Sequence, residues 1–166
     1  RDLHSFPTRR SSDLTNTEVK IGTFRGNEIE RRACHVLVSD KAEGPYRPME
    51  DKTYLPAEKP TLDGTLWVDT DGKPYMVYCY EWLQTWDGTI EKIELKPDLS
   101  GSMGEGQLLF RASDSPWSRE VIDGDTVASK VTDGPYLFRT QTGRLGMIWT
   151  SWIYDVYNQE IGRAHV

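Results

Sequence analysis

Long apolar runs, cysteine and helical periodicity are all scarce in this chain of 166 residues. No stretch of eighteen consecutive apolar residues occurs, so the sequence offers no candidate for a membrane-spanning helix. The only cysteines are Cys34 and Cys79, and no pairing motif surrounds them. This argues against a disulfide scaffold and against a cysteine-rich zinc site.

The two ends of the chain do not have the pattern of a folded domain. Residues 1–14 show no apolar period, and no apolar segment follows Arg9 and Arg10 to complete a signal peptide. Residues 4–14 resemble the in-frame translation of a sequencing adapter, and the C-terminal EIGRAHV resembles that of the opposite adapter. A disordered basic tail is the alternative for the first segment. We expect one domain over residues 15–160, with non-native segments at 1–14 and 161–166.

The charge of the chain favours a neutral or cationic partner. There are 20 basic and 26 acidic residues, a net charge of −6. The two end segments hold four Arg and two Asp, and without them 16 basic and 24 acidic residues remain, a net charge of −8. Such a domain repels nucleic acid phosphates and anionic membranes, so we expect neither as a partner. Neutral sugar polymers fit this charge.

Short aromatic and β-branched runs bounded by Gly, Pro, Asp and Asn predict an all-β fold. The predicted strands are 34–39, 65–68, 75–80, 90–95, 108–112, 136–139 and 145–150. The pairs Asp71-Gly72 and Asp87-Gly88 are predicted as hairpin turns. Residues 98–107 are polar and rich in glycine, which predicts a connection without strand structure.

An internal repeat organises these strands. The segment Leu62-Asp63-Gly64 opens a strand, and seventy residues later Thr132-Asp133-Gly134 opens another, each followed by a turn and a second strand. Met76 and Met147 occupy matching places in the second strands. Repeated antiparallel hairpins indicate the blades of a β-propeller. Because the first strand of each blade lies at the central axis, Asp63 and Asp133 are expected to meet in one pocket.

Converging carboxylates suit the hydrolysis of glycosidic bonds. One carboxylic acid protonates the leaving oxygen, and a second carboxylate activates water or attacks carbon. A further acidic residue can raise the pKa of the acid by like-charge repulsion. The alternative interpretation is that both Asp-Gly pairs are ordinary turn residues, and the residues alone leave the two interpretations evenly balanced.

Three motifs resemble glycoside hydrolase family 43. They are the SDKAEGPY of Ser39–Tyr46, the Leu62-Asp63-Gly64 strand with the DTDGKPY of Asp69–Tyr75, and the TDGPY of Thr132–Tyr136. The resemblance implies a five-bladed β-propeller, of which this chain covers about two to three blades. It also implies an inverting glycoside hydrolase that acts on arabinose- or xylose-containing polysaccharide or oligosaccharide.

The resemblance also implies roles for individual residues. Asp63 corresponds to the residue that modulates the pKa of the acid, and Asp133 stands at the general-acid position, where the family generally has Glu. Because Asp is one methylene shorter, Glu81 is a second candidate for the acid, with a substrate contact or a plain surface carboxylate as its alternative. No segment matches the motif of the general base.

Aromatic residues near the presumed pocket complete the predicted site. The candidates for sugar binding are Trp82, Gln84, Trp86 and Trp152, since flat aromatic faces stack on sugar rings. Their alternative role is packing between blades, whereas Trp67 and Trp149 are predicted core residues. No metal site and no cofactor can be assigned, although the resemblance allows for a central cation in the complete propeller.

Two other functions are open at this stage. A carbohydrate-binding propeller without catalysis is the main alternative, because Asp replaces Glu at position 133. A scaffold propeller that binds protein is the second. An extracellular or periplasmic location is favoured, and the oligomeric state is open.

Overall fold

The computed structural model describes residues 15–24, 26–48, 60–80, 85–123, 126–153 and 156–162, which form short β-strands and one short 3-10 helix. The 3-10 helix is Ala112–Asp114. The strands are β1 Thr15–Phe24, β2 Asn27–Arg32, β3 Leu37–Val38, β4 Arg47–Pro48, β5 Leu62–Val68, β6 Pro74–Tyr80, β7 Thr89–Leu95, β8 Ser102–Arg111, β9 Glu120–Asp123, β10 Thr126–Lys130, β11 Asp133–Arg139, β12 Leu145–Ile153 and β13 Val156–Gly162. None of the described residues forms a helix long and apolar enough to cross a membrane.

Two of the sheets have the form of propeller blades. Strands β5, β6, β7 and β8 make a four-stranded antiparallel sheet in chain order, and β11, β12 and β13 make a three-stranded one. The pairs β1–β2, β3–β4 and β9–β10 form smaller two-stranded sheets. Consecutive strands that pair in order are the arrangement of a blade. The predicted all-β fold is confirmed.

The turns of the two blades repeat each other. In the β5–β6 turn the Gly72 amide donates to the Asp69 carbonyl at 2.9 Å, and in the β11–β12 turn Gly143 donates to Thr140 at 2.9 Å. Both glycines have positive φ, 80° and 81°, a conformation that glycine adopts at little cost. The hairpin turn predicted at Asp71-Gly72 is therefore present, and so is the repeat.

Strand β6 is buried on both faces. Its side chains alternate between the two faces, so each face enters a different apolar cluster. One face contributes to a cluster that spans both blades and consists of Val77, Cys79, Ile90, Leu137 and Met147. The other face packs toward the segment before β5, in a cluster of Cys34, Val36, Met76, Tyr78, Ile93, Leu95 and Leu99. Trp149 is buried as predicted, and Trp67 is half-buried against the first cluster. The two blades therefore share one apolar interface.

A polar contact ties the blades at the end away from the Asp-Gly pairs. The Arg139 guanidinium at the end of β11 lies 2.7 Å from Asp69 Oδ1 in the β5–β6 turn. The same guanidinium lies over the ring of Trp67, 5.4 Å from its centroid. This contact holds β11 against β5 at the end of the strands away from Asp63 and Asp133.

The prediction for residues 98–107 holds for 98–101, which have no strand structure, and is wrong from Ser102 onward, because β8 begins there and continues to Arg111. This strand lies at the edge of its sheet and is exposed along much of its length, so its sequence is polar. Gly106 lies so close to Tyr78 that a Cβ there would overlap the tyrosine hydroxyl. Glycine here leaves room for the Tyr78 side chain, which reaches from β6 to β8, and does not mark a connection.

Asp87-Gly88 is not a hairpin turn, and this prediction is also wrong. The Asp87 carboxylate accepts hydrogen bonds from the amide and hydroxyl of Ser113, at 3.0 and 2.6 Å. The Gly88 amide donates to the Lys130 carbonyl at 2.8 Å, and a Cβ at Gly88 would lie 2.8 Å from the Thr132 amide. The pair anchors the segment that leads to β11.

The strand predicted at 34–39 is shorter in the structure, where it is limited to Leu37–Val38.

Candidate active site

Each Asp-Gly pair lies at an irregularity of an inner strand. The pairing register of β5 with β6 shifts between Leu62 and Thr65, and that of β11 with β12 shifts between Asp133 and Tyr136. At these points Asp63 has a φ of 52° and Gly134 has a φ of 56°. Bulges of this kind redirect side chains and occur often beside active sites. The two aspartates therefore leave the regular alternation of their strands.

Asp63 occupies the left-handed region of backbone conformation, which costs an L-residue about 1 kcal/mol or more. Aspartate and asparagine tolerate this region better than other residues with a side chain. Strain of this kind persists where the surrounding contacts fix it, and it clusters at functional sites. The backbone conformation of Asp63 is therefore unfavourable by itself, and a contact with neighbouring residues must offset its free energy.

Two hydrogen bonds join β5 to β11 at this end and supply that contact. The Gly134 amide donates to Asp63 Oδ2 at 2.8 Å, and the Thr65 hydroxyl donates to the Pro135 carbonyl at 2.5 Å. The bonds link the inner strands of neighbouring blades, which do not share a sheet. The Asp63 side chain therefore reaches across to the backbone beside Asp133.

The result is a group of three side chains: Asp63, Asp133 and Cys79. One carboxylate oxygen from each aspartate and the cysteine sulfur all lie within 4.8 Å of one another. Both aspartates are half-buried, and the thiol is fully buried. The sequence predicted that the two aspartates would meet. It did not indicate Cys79, which ends an apolar run and has the pattern of a core residue.

The separation of the two aspartates limits their chemistry. The acid and base of an inverting glycosidase stand about 6.5–9.5 Å apart, to leave room for a water molecule. The carboxylate oxygens of Asp63 and Asp133 lie within 4.8 Å, which is closer than that range. Their geometry suits an acid with an adjacent modulating carboxylate, and the base of an inverting reaction must be another residue.

The same group does not suit the central cation that the family resemblance allows. Calcium and magnesium ions are bound by oxygen ligands. The only group of potential metal ligands among the described residues consists of Asp63, Asp133 and Cys79, and it places a buried sulfur between two carboxylates. The donor set therefore does not match such a cation.

The predicted sugar-binding residues are only partly within the described residues. Glu81, Trp82 and Gln84 lie outside them. Trp86 is 52% exposed, and its ring packs edge-on against Phe24 with centroids 5.3 Å apart. It stands between β6 and β7, at the same end of the sheet as Asp63.

Trp152 is half-buried near the end of β12. Asp133 pairs with Thr150 in the β11–β12 register, so Trp152 lies at the Asp133 end of its blade. Its carbonyl accepts a hydrogen bond from the Arg119 amide at 2.8 Å. Trp86 and Trp152 thus lie at the ends of the sheets that carry the carboxylates, and their contact with sugar stays a prediction.

A second buried thiol lies beside Asp63 but in the other core cluster. A Cβ added at Gly64 would lie 2.6 Å from Cys34 Sγ, so the thiol packs directly on the backbone after Asp63. Burial raises the pKa of the Cys34 thiol from 9.0 to about 11, partly offset by hydrogen bonds from Thr61 and Gly64. Cys34 is therefore a neutral packing residue at physiological pH.

This raised pKa predicts a loss of stability in alkaline solution. The unfolded thiol ionises near 9.0 and the folded thiol near 11, so the unfolded state loses its proton first. Between these values we expect the free energy of unfolding to fall by roughly 3 kcal/mol through this group. Urea melts at intervals from pH 8 to 11 measure the fall. Cys34→Ala, which has no thiol to ionise, should show a smaller one, and parallel curves for the two proteins would contradict the prediction.

Blade sheets with a carboxylate pair at the start of their inner strands define a β-propeller with a candidate hydrolytic site. The chain belongs to glycosyl hydrolases family 43, whose model matches residues 5–152. A search of curated proteins finds no significant match. The predicted family is confirmed.

Solved structures agree with this assignment. An endo-arabinase from Bacteroides thetaiotaomicron VPI-5482 is 36% identical, with a TM-score of 0.70 over 80% of this chain and 48% of its own. An endo-1,4-beta-xylanase from the same organism is 20% identical, with a TM-score of 0.59 over 81% of this chain and 42% of its own. A thermostable family-43 glycoside hydrolase is 18% identical, with a TM-score of 0.58 over 80% of this chain and 43% of its own. The last two show the fold alone, and the chain spans about half the length of these structures.

Proposed function

We propose that the complete protein hydrolyses glycosidic bonds in arabinose- or xylose-containing polysaccharide, with arabinan as the first candidate. The observation that carries the proposal is the convergence of Asp63 and Asp133 from the inner strands of two blades. Family membership supports the reaction class. The 36% identity to a protein described as an endo-arabinase supports arabinan, whereas similarity to the xylanase concerns the fold only.

In this proposal Asp133 is the general acid and Asp63 its modulating and orienting neighbour. The Gly134 amide donates a hydrogen bond to Asp63 Oδ2, an acceptor that a carboxylate supplies. The Asp63 carboxylate is thus fixed by the backbone beside Asp133 and lies next to the Asp133 carboxylate. Asp133 is then the member that delivers the proton to the leaving oxygen.

The base that activates water is a residue other than these two. If the reaction is inverting, as the family resemblance implies, the base stands about 6.5–9.5 Å from the acid across the scissile bond. Neither Asp63 nor Cys79 meets this distance from Asp133, because both lie within 4.8 Å. Glu81 lies outside the described residues, and its role as an alternative acid stays a prediction.

Incubation of the complete protein with arabinan and with xylan tests the proposal. We expect reducing ends to appear with at least one polymer, and the first product observed by NMR to have the anomeric configuration opposite to that of the substrate. Saturable binding in calorimetry without release of reducing ends would overturn hydrolysis and favour the carbohydrate-binding alternative. If the protein shows no sugar binding and releases no reducing ends, carbohydrate is overturned as the substrate class.

A further inference from the structure

We propose that Cys79 is a positioning residue, whose buried thiol holds the Asp133 carboxyl in place against Asp63; this rests on the proposed function. Its sulfur lies within 4.8 Å of a carboxylate oxygen of each aspartate. The side chain has no exposed surface, so it cannot itself contact substrate. Cys79 therefore acts through Asp133 and Asp63.

The fold gives this thiol a fixed position. Cys79 lies in β6, one of the two strands that pair on both sides within their sheet. It is opposite Leu62 in β5, the residue before Asp63, and opposite Ile90 in β7. It also belongs to the apolar cluster that includes Leu137 of β11. Cys79 thus contacts the core of one blade and supports the inner strand of the next.

The chemistry of a thiol suits this place between two carboxylates. Sulfur is bulky and polarisable, and the S–H group is only a weak hydrogen-bond donor. A serine hydroxyl there would donate a strong hydrogen bond to one carboxylate and draw it from its partner. An alanine would leave space into which a carboxyl can move. Within the described group the ionisable partners that face the sulfur are Asp63 and Asp133.

Accurate positioning matters more for Asp133 than for a longer acid. The aspartate side chain has one methylene less than glutamate, so it has less freedom to recover a displaced carboxyl. A misplacement of about 1 Å can lower the rate of a catalysed reaction by about 100-fold. A change at Cys79 is therefore expected to slow the step that needs the acid, with little effect on sugar binding.

The test compares two substrates in the complete protein carrying Cys79→Ala or Cys79→Ser. The first substrate is an arabinan oligosaccharide, whose leaving group needs protonation, and the second is a 4-nitrophenyl arabinoside, whose leaving group does not. For Cys79→Ala we expect kcat on the oligosaccharide to fall by about 100-fold and kcat on the aryl glycoside by less than about 5-fold, with KM nearly unchanged. For Cys79→Ser we expect a loss of about 10-fold on the oligosaccharide, with the same selectivity.

Leu95→Ala is the control, since it truncates a fully buried side chain of the other core cluster, at the end of β7 away from the aspartates. It should lower stability without changing the ratio of the two activities. Equal losses on both substrates by folded Cys79 variants would overturn the positioning role, because they indicate a general structural effect. Asp133→Asn is measured in parallel. If it leaves the ratio unchanged, the acid role proposed for Asp133 is wrong; if it changes the ratio and the Cys79 variants do not, only the positioning role of Cys79 is wrong.

Discussion

Replacement of Asp133 by asparagine in the complete protein is expected to lower kcat on arabinan oligosaccharides by about 10²- to 10⁴-fold, the usual contribution of a general acid. Asparagine keeps the size of the side chain but has no proton to give to the leaving oxygen. A 4-nitrophenyl glycoside has a leaving group that departs without protonation, so its kcat should fall much less. Asp133 opens β11 at the bulge shared with Gly134, and the fold should be unchanged.

Asp71→Asn is the matched control for this experiment. Asp71 is an exposed aspartate in the β5–β6 turn, and its Oδ1 accepts a hydrogen bond from the Lys73 amide at 3.0 Å. Asparagine can accept the same bond, so both activities should equal those of the unmodified protein. If Asp133→Asn retains more than about half of the oligosaccharide activity, Asp133 is not the acid, and Glu81 becomes the first candidate to substitute.

Features that depend on neighbouring residues could be predicted from the sequence. The strands β5, β6, β7, β11 and β12 and the turns at Gly72 and Gly143 follow from local apolar runs and turn residues. The repeat then placed Asp63 and Asp133 at equivalent positions of two blades. Because equivalent inner strands lie next to each other in a propeller, the meeting of the two carboxylates could be predicted without coordinates.

Features that depend on distant contacts could not be predicted. Gly106 has the pattern of a loop glycine, yet it lies in strand β8. The residue is glycine because the Tyr78 side chain from β6 fills the space that a Cβ would need. Asp87-Gly88 has the pattern of a turn, yet it binds Ser113 and Lys130, which are far away in sequence. Strand pairing and packing outweigh local propensity at these positions.

Cys79 could not be assigned to the site for a similar reason. Adjacent residues of a strand face opposite sides, so Tyr78 and Cys79 enter different clusters. Which of them faces the carboxylates depends on the register of β6 against β5 and on the bulge at Asp63. A bulge reverses the alternation beyond it, and a left-handed aspartate leaves no local signal in the sequence.

Substitution of Asp63 is expected to separate stability from activity. Asparagine tolerates the left-handed conformation and keeps an oxygen that can accept the Gly134 amide, so Asp63→Asn should melt within about 0.5 kcal/mol of the unmodified protein. It removes the charge beside Asp133, and we expect oligosaccharide kcat to fall by about 10²-fold or more.

Asp63→Ala provides the contrast within the same position. Alanine keeps the φ of 52° as a strained conformation and leaves the Gly134 amide without its acceptor. We expect it to lose about 1–3 kcal/mol of unfolding free energy in addition to the activity that Asp63→Asn loses. Urea melts and kcat measured on the same preparations of both variants test this. If Asp63→Asn is as unstable as Asp63→Ala, the charge of Asp63 holds the two inner strands together; if Asp63→Asn is as active as the unmodified protein, Asp63 does not modulate the acid.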